Sequence, residues 1–199
     1  MLQEQTDRLE EIRAALEAHM RAVKPKRYAH SLGVARTAAE LAETYGVDVF
    51  DAAAAGLIHD WDKILPDAEL LARAAQLGVT VSGSPSHALP LLHGPVAAGE
   101  LPEQFPDLRP EVFQAVARHT VGATDMSPLD MVVFVADAIE PGRKGDYAVR
   151  LRELVGNVSL TELFFQCFSQ GLAYVIQTGR YLYPTAIDIY DRYALANRA

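Results

Sequence analysis

Cysteine is almost missing from this chain: Cys167 stands alone among 199 residues. An intrachain disulfide is thereby excluded, and so is a thiolate-rich metal site. A lone free cysteine reads as a small buried apolar residue. Positive charge is also scarce, since 18 Lys and Arg against 26 Asp and Glu leave a net charge of −8. Non-specific nucleic-acid binding needs clustered cations and is not expected. A metal ion and a few local cations could still turn the field inside a cleft toward a small anion. No apolar run is long enough to span a membrane. The opening stretch MLQEQTDRLEEIR is charged where a signal peptide would be apolar. A cytoplasmic location is therefore expected. Strand-like alternation, internal repeats and low-complexity tracts are lacking as well.

What remains is helical periodicity. Half of the residues are hydrophobic, enough for a substantial core. The pattern predicts an all-α domain of about eight to ten helices spanning 1–199, with an N-terminal helix over 1–24 and the rest over 25–199. Leu9, Ile12, Leu16 and Met20 share one face of a first helix running to about Val23. A second helix covers about Lys26–Tyr45 and stops at Gly46, a residue suited to the left-handed helix end. An Ala-rich third covers about Val49–His59, and a short one Asp67–Leu77. A polar loop, GVTVSGSPSHA, follows. Further helices are expected over about Leu89–Gly99 and Pro110–His119. Ser127 with Pro128 marks a clear start for a helix reaching Ile139. Another covers Tyr147–Val155, and Ser159 with Glu162 has the capping-box pattern for a long helix toward Thr178. The last segment, after Pro184, carries Ile187, Tyr190 and Tyr193. Tyr181, Tyr183, Tyr190 and Tyr193 suit either a homodimer face or the core, and Gly179–Thr185 could form a loop over a ligand.

Four residues invite a chemical reading: His30, His59, Asp60 and Asp137. Each sits in an apolar helical run, GLIHD for the adjacent pair and VVFVAD for Asp137. A carboxylate following such a run is expected to be partly buried, and a buried carboxylate needs a partner. Asp137 near a helix C-terminus also opposes the helix dipole. Two imidazoles and two carboxylates suit iron, manganese, cobalt or zinc better than calcium. A five- or six-coordinate ion would leave positions for water and a phosphate oxygen. Taken singly, each residue has a plain structural explanation, and a lone His-Asp dipeptide is a weak motif.

The order His, His-Asp, Asp resembles the HD phosphohydrolase superfamily, helical bundles built around that metal site. The strings Arg27-Tyr-Ala-His30-Ser31, Gly56-Leu-Ile-His59-Asp60 with Lys63, Leu92-His93-Gly94, Arg118-His119-Thr120-Val121-Gly122 and Ala136-Asp137-Ala-Ile-Glu140-Pro141-Gly-Arg143 resemble the YqeK-like bacterial family. That family consists of symmetrical diadenosine tetraphosphate hydrolases that use iron. Val121 departs from the threonine expected there. The resemblance runs from about Arg27 to Tyr190. It implies that His30, His59, Asp60 and Asp137 are metal ligands, with His30 and Asp137 also touching the substrate, and that His93, His119, Arg143 and Lys63 face the phosphates as catalytic groups. Arg27 would contact phosphate or pair with a carboxylate, and Asp62 and Glu140 would orient ligands. One ion is favoured over two, because His93 and His119 bring no obvious bridging carboxylate. The implied reaction splits diadenosine tetraphosphate into two ADP. The alternatives are another HD nucleotide phosphohydrolase, such as a nucleotidase or guanosine tetraphosphate hydrolase, and a nucleotide-binding sensor without turnover. Trp61 is expected either to wall the site or to join the core.

Overall fold

The computed structural model describes residues 2–80 and 82–196. Met1, Val81 and 197–199 lie outside the described residues, so the expected 78–88 loop is covered except at Val81. Among the described residues there are eleven α-helices and no strand, and no helix is long and apolar enough to cross a membrane.

Helix α1 (Gln3–Leu16) ends earlier than its periodicity suggests, because the chain widens into one π-helical turn over Glu17–Arg21. That turn buries Met20. Pro25 then opens α2 (Pro25–Tyr45), where its missing N–H costs nothing. Gly46 closes α2 at φ 71°. Asp48 caps α3 (Val49–Ile58), in which every residue from Asp51 to Ile58 is buried. The alanines permit this, because α3 lies directly on α2: a Cβ at Gly56 would come within 2.6 Å of the Ala35 Cα. A 3₁₀ turn, Trp61–Ile64, leads to α4 (Asp67–Gln76).

The expected helix at Leu89–Gly99 divides in two, and a further short helix forms within the expected polar loop before it. A short α5 (Pro85–Ala88) and a 3₁₀ turn, Leu89–Leu91, precede α6 (His93–Gln104). Pro90 explains the break, since it removes a backbone donor and restrains the residue before it. Then come α7 (Pro110–Arg118), α8 (Pro128–Ile139), α9 (Asp146–Leu154), α10 (Leu160–Gln177) and α11 (Ala186–Ala196). Ser127 and Asp130 form a full capping box on α8. On α10 only half of the expected box is made: Ser159 Oγ accepts from Glu162 N, while the Glu162 carboxylate accepts from Gln166.

One large apolar cluster joins Ile12 and Leu16 of α1 to Val34 and Leu41 of α2, Ile58 of α3, Val132 of α8 and Phe164 of α10. Trp61 belongs to it. Its ring stacks on His19 at 4.1 Å and meets Phe105 edge-on at 5.7 Å, which answers the open question about this residue in favour of the core. The Tyr193 hydroxyl accepts from Met126 N, so this tyrosine is also interior.

Candidate metal centre

Five elements deliver polar side chains into the apolar middle of the bundle. α2 supplies His30, the end of α3 supplies His59 and Asp60, α6 begins with His93, α7 ends at His119, and α8 supplies Asp137. His59, Asp60, His93 and His119 are all buried.

Each imidazole is held by the same atom. His59 Nδ1 lies 2.8 Å from the Gly56 carbonyl, His93 Nδ1 3.1 Å from that of Pro90, and His119 Nδ1 2.6 Å from that of Val116. The device is the same three times: the ring at the end of a turn folds back on the carbonyl three residues earlier. His30 Nδ1 lies 3.1 Å from Glu140 Oε1. A carbonyl only accepts, so in all three of those rings the proton resides on Nδ1. In a neutral ring the Nε2 lone pair is then free and faces inward.

Those lone pairs crowd together. His93 Nε2 and His119 Nε2 are 3.0 Å apart. His30 Nε2 and His59 Nε2 are buried without a hydrogen-bond partner. Two acceptors at that distance, beside two unpartnered ones, repel unless a cation lies among them. Nitrogen and carboxylate oxygen are the donor set that such a cation takes. The residues present therefore fit a metal ion.

Asp60 occupies the centre. Its Oδ2 lies 3.2 Å from His59 Nε2 and 3.7 Å from His30 Nε2, while Oδ1 lies 3.1 Å from His93 Nε2 and 3.8 Å from His119 Nε2. One carboxylate thus faces both histidine pairs, a placement that the sequence did not reveal. Three overlapping sets have ligand atoms close enough to share an ion: His30, His59 and Asp60; His59, His119 and Asp137; and Asp60, His93 and His119.

The electrostatics follow from this crowding. Burial alone would raise the Asp60 carboxyl, but its neighbours His59, His119 and His93 hold it well below the ordinary range. Asp137 behaves likewise: burial opposes ionisation, and His30, His59, Arg143 and His119 together overcome it. His93 goes the other way, pushed down to about 4, chiefly by burial, which outweighs the pull of Asp60. It is neutral at pH 7, so it offers a lone pair rather than a positive charge to its surroundings.

Supporting residues explain the geometry. Glu140 Oε2 accepts from Gly142 N while Oε1 meets His30. A Cβ at Gly33 would fall 2.6 Å from Glu140 Oε2, so the glycine makes room for it. A Cβ at Gly94 would fall 2.7 Å from the Val116 carbonyl and 3.1 Å from the His119 ring. Arg152 binds the carbonyls of Ile139, Glu140 and Arg143, and so fixes the loop bearing Glu140 and Arg143. None of these partnerships has a spacing signature.

The remaining expected residues are distributed as follows. Arg27 Nη1 donates to Asp60 Oδ2 at 2.6 Å. Arg143 grips Asp137 twice, through the side chain and the backbone carbonyl. Lys63 Nζ donates to the Pro90 carbonyl, the same oxygen that holds His93, and burial lowers its pKa. Asp62 is buried with Oδ2 unpartnered and hydrogen-bonds to none of the ligand candidates.

Asp62 yields a pH prediction. Burial, with Glu100 nearby, raises its carboxyl from 3.8 to about 7. The folded protein therefore holds a proton that the unfolded chain releases, and this stability is lost as pH rises through 7. Asp62→Asn should then stabilise the protein more at pH 8 than at pH 5, by on the order of 2–3 kcal/mol. Urea denaturation at the two pH values checks it, and an equal effect at both would refute the account.

The cluster opens through His119, Thr120 and Asp137 into a cavity of about 900 Å³ between α8, α9 and α10. Arg143, Arg150 and Arg180 line it, with Tyr147 and Tyr174. The volume lies within the range of about 300–1,000 Å³ common for small-molecule sites.

A model of the HD domain matches residues 27–142, which take in every ligand candidate from His30 to Asp137. The chain belongs to the HD domain family. Among its relatives, a Staphylococcus aureus protein named symmetrical bis(5'-nucleosyl)-tetraphosphatase is 33% identical over 171 residues, covering 84% of this chain and 87% of that one. A Bacillus subtilis protein of the same name is 29% identical, covering 83% and 88%. The crystal structure of a predicted HD superfamily hydrolase involved in NAD metabolism from Clostridium acetobutylicum superposes with a TM-score of 0.85 at 29% identity, covering 94% and 97%. In this HD domain, Arg143 lies one residue beyond the matched segment, which ends at Gly142.

Proposed function

We propose that this HD protein hydrolyses diadenosine tetraphosphate symmetrically to two ADP, using a metal centre held by His30, His59, Asp60 and Asp137. The observation that carries the reading is the inward convergence of four Nε2 atoms and two carboxylates beside an arginine-lined cavity. Relatives named for this reaction, alike over most of their length, support it. Iron is the expected metal, with manganese, cobalt and zinc as the other ions suited to the set. When bound, it would lower the pKa of a water molecule and polarise a phosphoryl oxygen.

The symmetrical cut adds a water oxygen to one of the two inner phosphorus atoms. The bond from that phosphorus to the central bridging oxygen breaks, and ADP departs. Arg143, held by Asp137 at the cavity wall, offsets charge growing on the phosphoryl oxygens. Arg27 restrains Asp60 from the other side. Lys63 acts indirectly, by fixing the Pro90 carbonyl that orients His93.

A second reading has two ions, the other one held by His93, His119 and Asp60. The 3.0 Å separation of two Nε2 atoms, both locked as acceptors, favours it. Metal analysis of anaerobically purified protein distinguishes the two: His93→Ala should lower two ions per chain to one, whereas a single-ion centre would keep its content.

Product analysis tests the reaction itself. Anion-exchange chromatography after incubation with diadenosine tetraphosphate should give ADP as the sole product. ATP with AMP would refute the symmetrical cut. A panel including mononucleotides and guanosine tetraphosphate tests the neighbouring phosphohydrolase readings.

A further inference from the structure

Gly171 sits inside α10, where glycine is the poorest helix former after proline. Nothing in the fold requires it. Its φ is not positive, and a Cβ built there would meet no atom within 4 Å. It differs in this from Gly56 and Gly94, where a neighbouring backbone leaves no room.

What Gly171 does is border space. It lines the large cavity and also an adjoining alcove of about 180 Å³, together with Thr120 and Phe134. Phe168, Val175 and Tyr181 wall the alcove, a setting suited to a flat aromatic ring. Arg143 pairs with Asp137, whereas Arg150 and Arg180 face no carboxylate among the described residues. The Arg180 guanidinium lies 5.0 Å over the Tyr174 ring. In a chain of net charge −8, two unpaired guanidiniums beside one cavity make a local anion site.

We propose that Gly171 is a specificity-determining residue: its bare backbone leaves the alcove open to a purine base of the substrate, and Arg150 and Arg180 hold the phosphates leading to that base. The inference deepens the phosphohydrolase reading and rests on it, since a dinucleotide needs a base slot as well as a centre for the scissile bond.

The test compares Gly171→Leu, Gly171→Ala and Arg150→Ala/Arg180→Ala as full-length, metal-loaded proteins. Gly171→Ala should raise Tm by about 2 °C, because open space takes the methyl group and the helix gains. A fall in Tm would mean that the position is packed, against the inference. Gly171→Leu should raise KM for diadenosine tetraphosphate about tenfold while kcat stays within about threefold. Inorganic tetraphosphate, which has no base, should inhibit Gly171→Leu as it does the wild type, and should inhibit the double arginine variant more weakly. An unchanged KM in the leucine variant, or equal weakening toward both molecules, overturns the slot. If the wild type fails to cleave diadenosine tetraphosphate, the reaction assignment fails by itself. ADP calorimetry then judges the slot, and equal affinity in wild type and Gly171→Leu, or no binding to the wild type, overturns it.

Discussion

Asp60→Asn should lower kcat for diadenosine tetraphosphate by about a thousandfold or more and strip the bound metal. The expectation comes from the position of one side chain. Both carboxylate oxygens face imidazole nitrogens, Oδ2 toward His59 and His30, and Oδ1 toward His93 and His119. The amide keeps the shape and loses the charge that offsets a cation. It also loses one acceptor, so a nitrogen would be forced toward one histidine pair. The protein should remain folded, because the substitution is isosteric and relieves a buried charge. Metal content by elemental analysis, circular dichroism and turnover, measured on one preparation, check this. Retained metal with retained turnover would remove Asp60 from the centre altogether.

Arg118→Ala should cost about 3–5 kcal/mol of stability, a Tm loss on the order of 10 °C for a chain of this size. Asp130 is the reason. Its side chain is fully buried, and Arg118 Nη1 donates to its Oδ2 at 2.9 Å. Gln114 Nε2 and Ser127 N also donate to it, but both are neutral. Without the guanidinium, a carboxylate stays buried with no counter-charge. Arg118 also binds the Asp125 carbonyl, which ties the end of α7 to the start of α8. The double variant Arg118→Met/Asp130→Asn should recover much of the loss, because it removes the charge as well as its partner. Thermal unfolding of the three proteins checks both expectations. A single variant as stable as the wild type would contradict this account of Asp130.

The helix ends that the sequence displayed are the ones decided by local chemistry. Gly46 ends α2 in the left-handed conformation, and Ser127 with Pro128 starts α8. The departures occur where packing intervenes. Periodicity through Met20 could not announce a π-helical turn, because the same apolar residues remain inward in either winding. The Leu89–Gly99 expectation overlooked Pro90, which divides the segment into a 3₁₀ turn and a later helix starting at His93. At the centre, His30, His59, Asp60 and Asp137 stood out because polar groups within apolar helical runs need a partner. Arg152, Gly33 and Gly94 did not stand out, since what they do is hold or admit a side chain far away in the chain.

By itself the sequence determined the all-α class, the positions of most helix starts and the residues able to ligate a metal. Those follow from periodicity, capping chemistry and the cost of burying charge, all of which act over a few residues. Only the tertiary structure decided that Asp60 faces two histidine pairs, that Lys63 turns to the Pro90 carbonyl and that Trp61 joins the core. The physical reason is that a side chain's partner depends on which helix packs opposite it. That packing is fixed by long-range contacts such as Gly56 against Ala35, and spacing along the chain does not encode them.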